Sequence, residues 1–63
     1  MPFAHISILE GRTPEQIETM IREVTDAIHR SLGAPVENVR VLVDEVPKTH
    51  WGIGGKSVKA LGR

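Results

Sequence analysis

The sequence predicts a small α+β protein, a β-α-β unit with parallel strands followed by a short hairpin. Two segments alternate between apolar and polar residues, a long segment between them repeats apolar residues every three or four positions, and a glycine-rich tail follows. A strand, a helix and a second strand in this order give parallel strands with a right-handed crossover. With 63 residues, the chain has room for one domain, 1–63.

The first strand is predicted over residues 3–9, F-A-H-I-S-I-L. Its period of two and its β-branched residues are typical of a strand with two different faces. The two faces are Ala4, Ile6 and Ile8 against Phe3, His5 and Ser7. Gly11 then interrupts the alternation and is the expected turn residue.

A helix of about five turns is predicted to begin at Thr13. Thr13 is the N-cap, Pro14 suits the first helical position, and Gln16 completes a capping box. Gly33 ends the helix in a left-handed conformation, and Pro35 prevents its continuation. The apolar residues form one stripe: Ile17, Met20, Ile21, Val24, Ala27, Ile28 and Leu32.

The second strand is predicted over residues 38–46, and the glycine-rich tail after Pro47 favours a hairpin or a loop. Because one helix covers one face of a two-stranded sheet, the apolar residues of the other face require a second subunit. Chain length supports the same expectation. A domain of about 60 residues has a marginal core, and with 0 Cys neither a disulfide nor a thiolate metal site can stabilise it. Self-association is therefore expected.

Composition excludes several classes of function. The 8 Lys and Arg balance the 8 Asp and Glu, so the chain lacks the basic surplus of a nucleic-acid or anionic-membrane binder. No apolar run reaches the length of a membrane span, and no signal-peptide pattern opens the chain. A cytoplasmic protein without a metal or other cofactor is expected. The G-I-G-G-K-S segment lacks the strand and helix that flank a phosphate loop, and the three His residues suggest no triad.

Two arginines are candidates for binding an anionic substrate. Arg12 lies just before the helix N-terminus, a region that favours anions. Arg40 lies among apolar residues of the second strand, where it is either an edge-strand surface charge or a clamp for a carboxylate. The residues alone leave both interpretations of Arg40 open.

Pro2 is the candidate base. A small residue after Met1 normally permits removal of the initiator Met, which would leave Pro2 with a free secondary amine. An α-amino group has a pKa of about 8 in water. An apolar pocket and a nearby arginine would both disfavour the charged amine, so its pKa would fall and it could act as a neutral base.

Three segments together resemble the 4-oxalocrotonate tautomerase family: M-P-F-A-H-I-S-I-L-E-G-R, R-V-L-V-D-E-V and H-W-G-I-G-G. The resemblance extends over nearly the whole chain without a gap. It implies a tautomerase that interconverts enol and keto forms of a 2-hydroxydienoate such as 2-hydroxymuconate, an intermediate of aromatic catabolism. It also implies a homohexamer built as a trimer of dimers.

The resemblance implies a role for each site residue. Pro2 would be the general base, and Arg40 would bind the carboxylate and the adjacent oxygen while charge develops there. Arg12 of a neighbouring subunit would hold the distal carboxylate. Leu9 and Trp51 would line the substrate pocket. Most family members have Phe at the position of Trp51, so the indole could narrow the pocket or add a polar contact.

Two alternatives belong to other classes. Haloacrylate dehalogenases of the same superfamily hydrate their substrates, and they carry Arg and Glu where this chain has Leu9 and Ile53. These two apolar residues favour the tautomerase. The second alternative is an oligomeric binding module without catalysis, which retention of Met1 would support because it blocks the amine of Pro2.

Overall fold

The computed structural model describes all of residues 1–63. It contains strand β1 (Phe3–Leu9), helix α1 (Pro14–Leu32), strand β2 (Arg40–Val46), and the short strands β3 (Gly52–Ile53) and β4 (Lys56–Ser57). Two short 3-10 turns, Val36–Asn38 and Lys48–His50, flank β2. The chain therefore has the predicted order of elements, and the predicted fold class is confirmed.

Strands β1 and β2 pair in parallel, with Phe3 opposite Arg40 and Leu9 opposite Val46. Backbone hydrogen bonds extend the pairing at both ends: Arg40 N–H donates to Pro2 O at 3.0 Å, and Glu10 N–H donates to Val46 O at 3.0 Å. The first strand has the predicted bounds. The predicted start of the second strand at residue 38 was wrong by two residues, because residues 36–38 form a 3-10 turn after Pro35.

Helix α1 begins and ends at the predicted caps. The Thr13 hydroxyl accepts from Gln16 N–H at 3.2 Å, and the Gln16 side chain accepts from Thr13 N–H at 3.0 Å, which completes the capping box. At the other end Gly33 has φ 74° and donates its N–H to His29 O at 2.9 Å. The helix crosses from the end of β1 back to the start of β2 and covers one face of the sheet.

The tail folds as the antiparallel hairpin β3–β4. Gly54 and Gly55 connect the strands with φ of 60° and 87°, as a two-residue type I′ turn requires. After β4, Val58 N–H donates to Trp51 O at 2.8 Å. Val58 is 2% exposed and is the most deeply buried residue of the chain.

One protomer buries very little of itself. Only Val39 and Val58 are buried, and the surface of 4679 Å² exceeds the roughly 4,000 Å² of a compact monomer of this mass. The radius of gyration is 14.6 Å, against about 11 Å for a compact chain of this length. The molecule is a plate of 43 × 24 × 13 Å.

The sheet face opposite α1 is bare in the protomer. Phe3 is 65% exposed and Leu42 is 47% exposed on this face, where the His5 ring also contacts the Asp44 carboxylate. This is the uncovered face that the alternation of β1 predicts. No helix has the combination of length and apolarity that a membrane span requires. The cytoplasmic location stays a prediction.

The capping box of α1 gives a test of local stability. We expect Thr13→Ala to lower the free energy of unfolding by about 0.5–2 kcal/mol, because it removes the acceptor for Gln16 N–H. Thr19→Ala is the matched control, since the Thr19 hydroxyl only bonds Glu15 O within the same helix. Denaturant unfolding at one fixed protein concentration measures both variants. Equal effects of the two substitutions would contradict the importance of the cap.

Candidate active site

The parallel sheet separates the predicted site residues into two groups. Pro2 and Arg40 lie where the strands begin, whereas Leu9, Arg12 and Trp51 lie at or beyond the edge where the strands end. The two edges are about 20 Å apart, since a strand rises about 3.3 Å per residue.

At the first edge, the backbone places Pro2 beside Arg40. Pro2 is half-buried, and its carbonyl accepts the N–H of Arg40. The Arg40 side chain is exposed, and its Nη1 donates to Glu37 O at 2.8 Å. This bond restrains the guanidinium through one of its five N–H groups and leaves the others available for a carboxylate. Arg40 is opposite Phe3 in the register, so it belongs to the bare face of the sheet.

At the second edge, an open cleft of about 540 Å³ contains the other predicted residues. Leu9 forms part of its floor, Trp51 forms a half-buried aromatic wall, and the exposed Arg12 supplies a positive charge. Arg12 also borders an adjoining cleft of about 320 Å³ between β1 and α1, next to Ile8 and Met20. An apolar wall beside a guanidinium suits a planar, conjugated carboxylate.

Sequence reasoning missed three charged residues of this cleft: Glu10, Lys48 and Arg63. Glu10 and Lys48 follow the ends of two parallel strands, so their meeting at one edge could have been inferred from the β-α-β topology. Arg63 reaches the cleft through the folding of the tail, for which the sequence pattern contains no signal.

The histidines have partners within the chain or are exposed. His5 contacts Asp44, and Nδ1 of His29 lies 2.7 Å from Ala34 O at the end of α1. His50 is exposed in the 3-10 turn before Trp51. No group of three or more His, Asp or Glu side chains is placed to hold a metal ion.

Residues 2–61 match a family model described as tautomerase enzyme. The chain belongs to the tautomerase family. A 2-hydroxymuconate tautomerase of Stutzerimonas stutzeri is 64% identical to it over 63 residues, which are the whole of both chains. The resemblance and the prediction of an isomerase are thereby confirmed, and a binding module without catalysis is set aside.

Solved structures of tautomerases have the same fold. A 4-oxalocrotonate tautomerase isozyme of Methylibium petroleiphilum is 58% identical, with a TM-score of 0.93 over 98% of this chain and 100% of that one. A heterohexameric 4-oxalocrotonate tautomerase of Chloroflexus aurantiacus is 38% identical, with a TM-score of 0.91 over 97% of this chain and 98% of that one. The likeness therefore extends through the sheet, the helix and the hairpin.

Proposed function

We propose that this tautomerase interconverts the enol and keto forms of a 2-hydroxydienoate, such as 2-hydroxymuconate, by a 1,3- or 1,5-proton shift. The observation that carries the proposal is the full-length, 64% identity to a 2-hydroxymuconate tautomerase. The positions of Pro2, Arg40 and Arg12 support it, because they supply a candidate base and two carboxylate-binding groups.

Pro2 acts as the base after Met1 has been removed. While Met1 is attached, the Pro2 nitrogen belongs to an amide and cannot accept a proton. Met1 is 82% exposed, so its removal would uncover little buried surface. The free amine takes the proton of the 2-hydroxyl group, the oxygen becomes a carbonyl as the double bonds shift, and the protonated amine returns the proton to C3 or C5.

The two arginines divide the substrate between them. Arg40 binds the carboxylate next to the reacting oxygen and stabilises the negative charge that develops there. Arg12 holds the distal carboxylate, and Trp51 and Leu9 exclude water along the conjugated chain. Leu9 supplies no charge that could activate water, so the cleft favours isomerisation over the hydration of haloacrylates.

The complete site requires more than one protomer. A small dicarboxylate cannot span the roughly 20 Å between the two edges of one sheet. The bare sheet face and the excess surface of the protomer also require a partner. We therefore propose a homohexamer, a trimer of dimers. In this assembly Arg12 of one protomer binds the distal carboxylate of the substrate on which Pro2 of another protomer acts. The heterohexamer of the Chloroflexus aurantiacus relative supports an assembly of this size.

The proposed substrate places the enzyme in the catabolism of aromatic compounds, because cleavage of a catechol ring gives 2-hydroxymuconate-type dienols. The direct test is ultraviolet monitoring of 2-hydroxymuconate ketonisation by the purified protein. We expect conversion far above the rate without enzyme. A purified hexamer that begins at Pro2 and gives no acceleration would contradict the proposed function.

The base requires a free Pro2 nitrogen. Intact mass spectrometry should show the loss of one Met, and Pro2→Ala should lower kcat sharply, since it replaces the rigid secondary amine. Pro35→Ala is a matched control, because Pro35 precedes the 3-10 turn before β2. Full activity in a chain that still carries Met1 would contradict the role of Pro2.

The two arginines should differ in their kinetic effects. Arg40→Ala should lower kcat by about a hundredfold or more, the scale of losing one oxyanion donor. Arg12→Ala should chiefly raise KM for dicarboxylates, because a contact made equally in ground and transition states contributes only to binding. A monocarboxylate enol, such as that of an arylpyruvate, is the control substrate. Equal losses with mono- and dicarboxylates would show that Arg12 is not a carboxylate clamp.

A site shared between protomers can be tested by subunit mixing. Pro2→Ala and Arg12→Ala chains, each weakly active alone, should regain dicarboxylate activity when they are unfolded and refolded together. Some mixed assemblies then contain an intact Pro2 next to an intact Arg12. Sedimentation should give a mass several times 6.9 kDa at micromolar concentration. A folded monomer, or mixtures no more active than the average of their parts, would contradict the shared site.

A further inference from the structure

The cleft at the carboxyl edge of the sheet concentrates positive charge. Arg12, Lys48 and Arg63 all line it, and Glu10 is the one acidic side chain among the lining residues. The chain as a whole has equal numbers of basic and acidic residues, so this surplus is local. A cleft with more cations than carboxylates attracts a small anion, because its walls focus the field of the charges.

None of these three cations forms an ion pair within the chain. The single ion pair of the protomer joins His5 to Asp44 on the bare sheet face. Glu10 is the carboxylate nearest to Lys48 along the cleft, but its Oε1 accepts the backbone N–H of Lys48, at 3.3 Å, and forms no bridge to the ammonium group. Within the protomer, the three positive charges are therefore available to a ligand.

The backbone holds Lys48 and Arg63 in place although their side chains are exposed. The carbonyl of Lys48 accepts Lys59 N–H at 3.2 Å, in addition to the bond from its own N–H to Glu10. Arg63 N–H donates to Val58 O at 3.1 Å, next to the best-buried residue of the chain. These backbone hydrogen bonds hold both residues at the cleft. When an anion binds, only the rotation of their side chains has to be restricted.

We infer that Lys48 and Arg63 are specificity-determining residues, which together with Arg12 form a three-cation site for the distal carboxylate of a dicarboxylate substrate. The inference takes its substrate from the proposed function. The observation that supports it is separate: the cations of the cleft form no ion pair within the chain. Arg12 supplies the planar fork that orients the carboxylate, whereas Lys48 supplies a compact point charge that raises affinity without fixing an angle. Arg63 adds a third positive charge from the end of the tail.

The contribution of each added cation is modest and sensitive to salt. Exposed charge pairs contribute about 0.2–1 kcal/mol, or about 1.4- to fivefold in affinity. Lys48→Gln and Arg63→Gln should each lower the ratio of dicarboxylate to monocarboxylate kcat/KM by up to about fivefold. The loss should appear in KM rather than kcat, and it should shrink at high salt, where exposed charges are screened. The double variant should show the larger loss.

Lys59→Gln is the matched control. It removes one exposed lysine side chain that does not line the cleft, and it keeps the backbone N–H that bonds Lys48 O. It has the same change in net charge as Lys48→Gln, so a general electrostatic effect would move both variants equally. Equal changes in Lys48→Gln and Lys59→Gln would overturn the inference, as would an unchanged substrate ratio in the Lys48→Gln, Arg63→Gln double variant.

A binding experiment separates this inference from the proposed function. Adipate, an unreactive six-carbon dicarboxylate, and hexanoate, the matched monocarboxylate, can be titrated into the intact oligomer by calorimetry. We expect adipate to bind more tightly than hexanoate and to lose this advantage in the double variant. That result would support the three-cation site even if 2-hydroxymuconate were not turned over. Active wild-type enzyme with the same preference for adipate in the double variant would overturn the site and leave the proposed function intact.

Discussion

The parallel pairing of β1 with β2 is the constraint on which the rest of the structure depends. Parallel strands begin at one edge of their sheet and end at the other, so the chain must cross the full length of the sheet between them. Helix α1 provides this crossing and thereby covers one face. The same geometry leaves the face of Phe3 and Leu42 bare, and it places Pro2 and Arg12 at opposite edges. The incomplete core and the separation of the proposed site residues therefore have one cause.

One subunit contact could complete both the core and the proposed site. A chain this short cannot close a second layer over its sheet, as the 13 Å thickness and the two buried residues show. In the proposed assembly, a second copy supplies the missing layer and the missing half of the site together. The contact between His5 and Asp44 suits a sheet face that a second copy covers. Polar side chains that become buried need a hydrogen-bond partner, whereas exposed ones can bond to water. Catalysis would then depend on assembly, because in this proposal no single protomer supplies all the residues of one active site.

Local sequence patterns predicted most of the fold, because its elements are locally encoded. The alternation of β1, the capping box at Thr13 and the left-handed Gly33 are all found where they were expected. The error at residue 38 and the unforeseen 3-10 turns arise where tight turns after Pro35 and Pro47 replace periodic structure. The burial of Val58 was not predictable, since it depends on contacts across the tail.

For the site, the sequence nominated Pro2, Arg12, Arg40, Leu9 and Trp51. The sequence could not show that Lys48 and Arg63 lie in the same cleft as Arg12. These residues come from separate turns, and no periodic sequence pattern records which turns meet in space.

A balanced net charge conceals how the proposed mechanism uses its cations. In that mechanism the arginines act on the substrate and on the base at the same time. Before the substrate binds, positive charge near the Pro2 amine would disfavour its protonated form. Substrate carboxylates then neutralise part of that charge, so the amine becomes a stronger base when it must accept a proton. The same cations would also lower the pKa of a carboxylate base, but that base would be negatively charged before the substrate binds and would repel the substrate carboxylates. An amine base and arginine-bound carboxylates are therefore a consistent pair, and the cations that select a dianionic substrate also prepare the proton transfer.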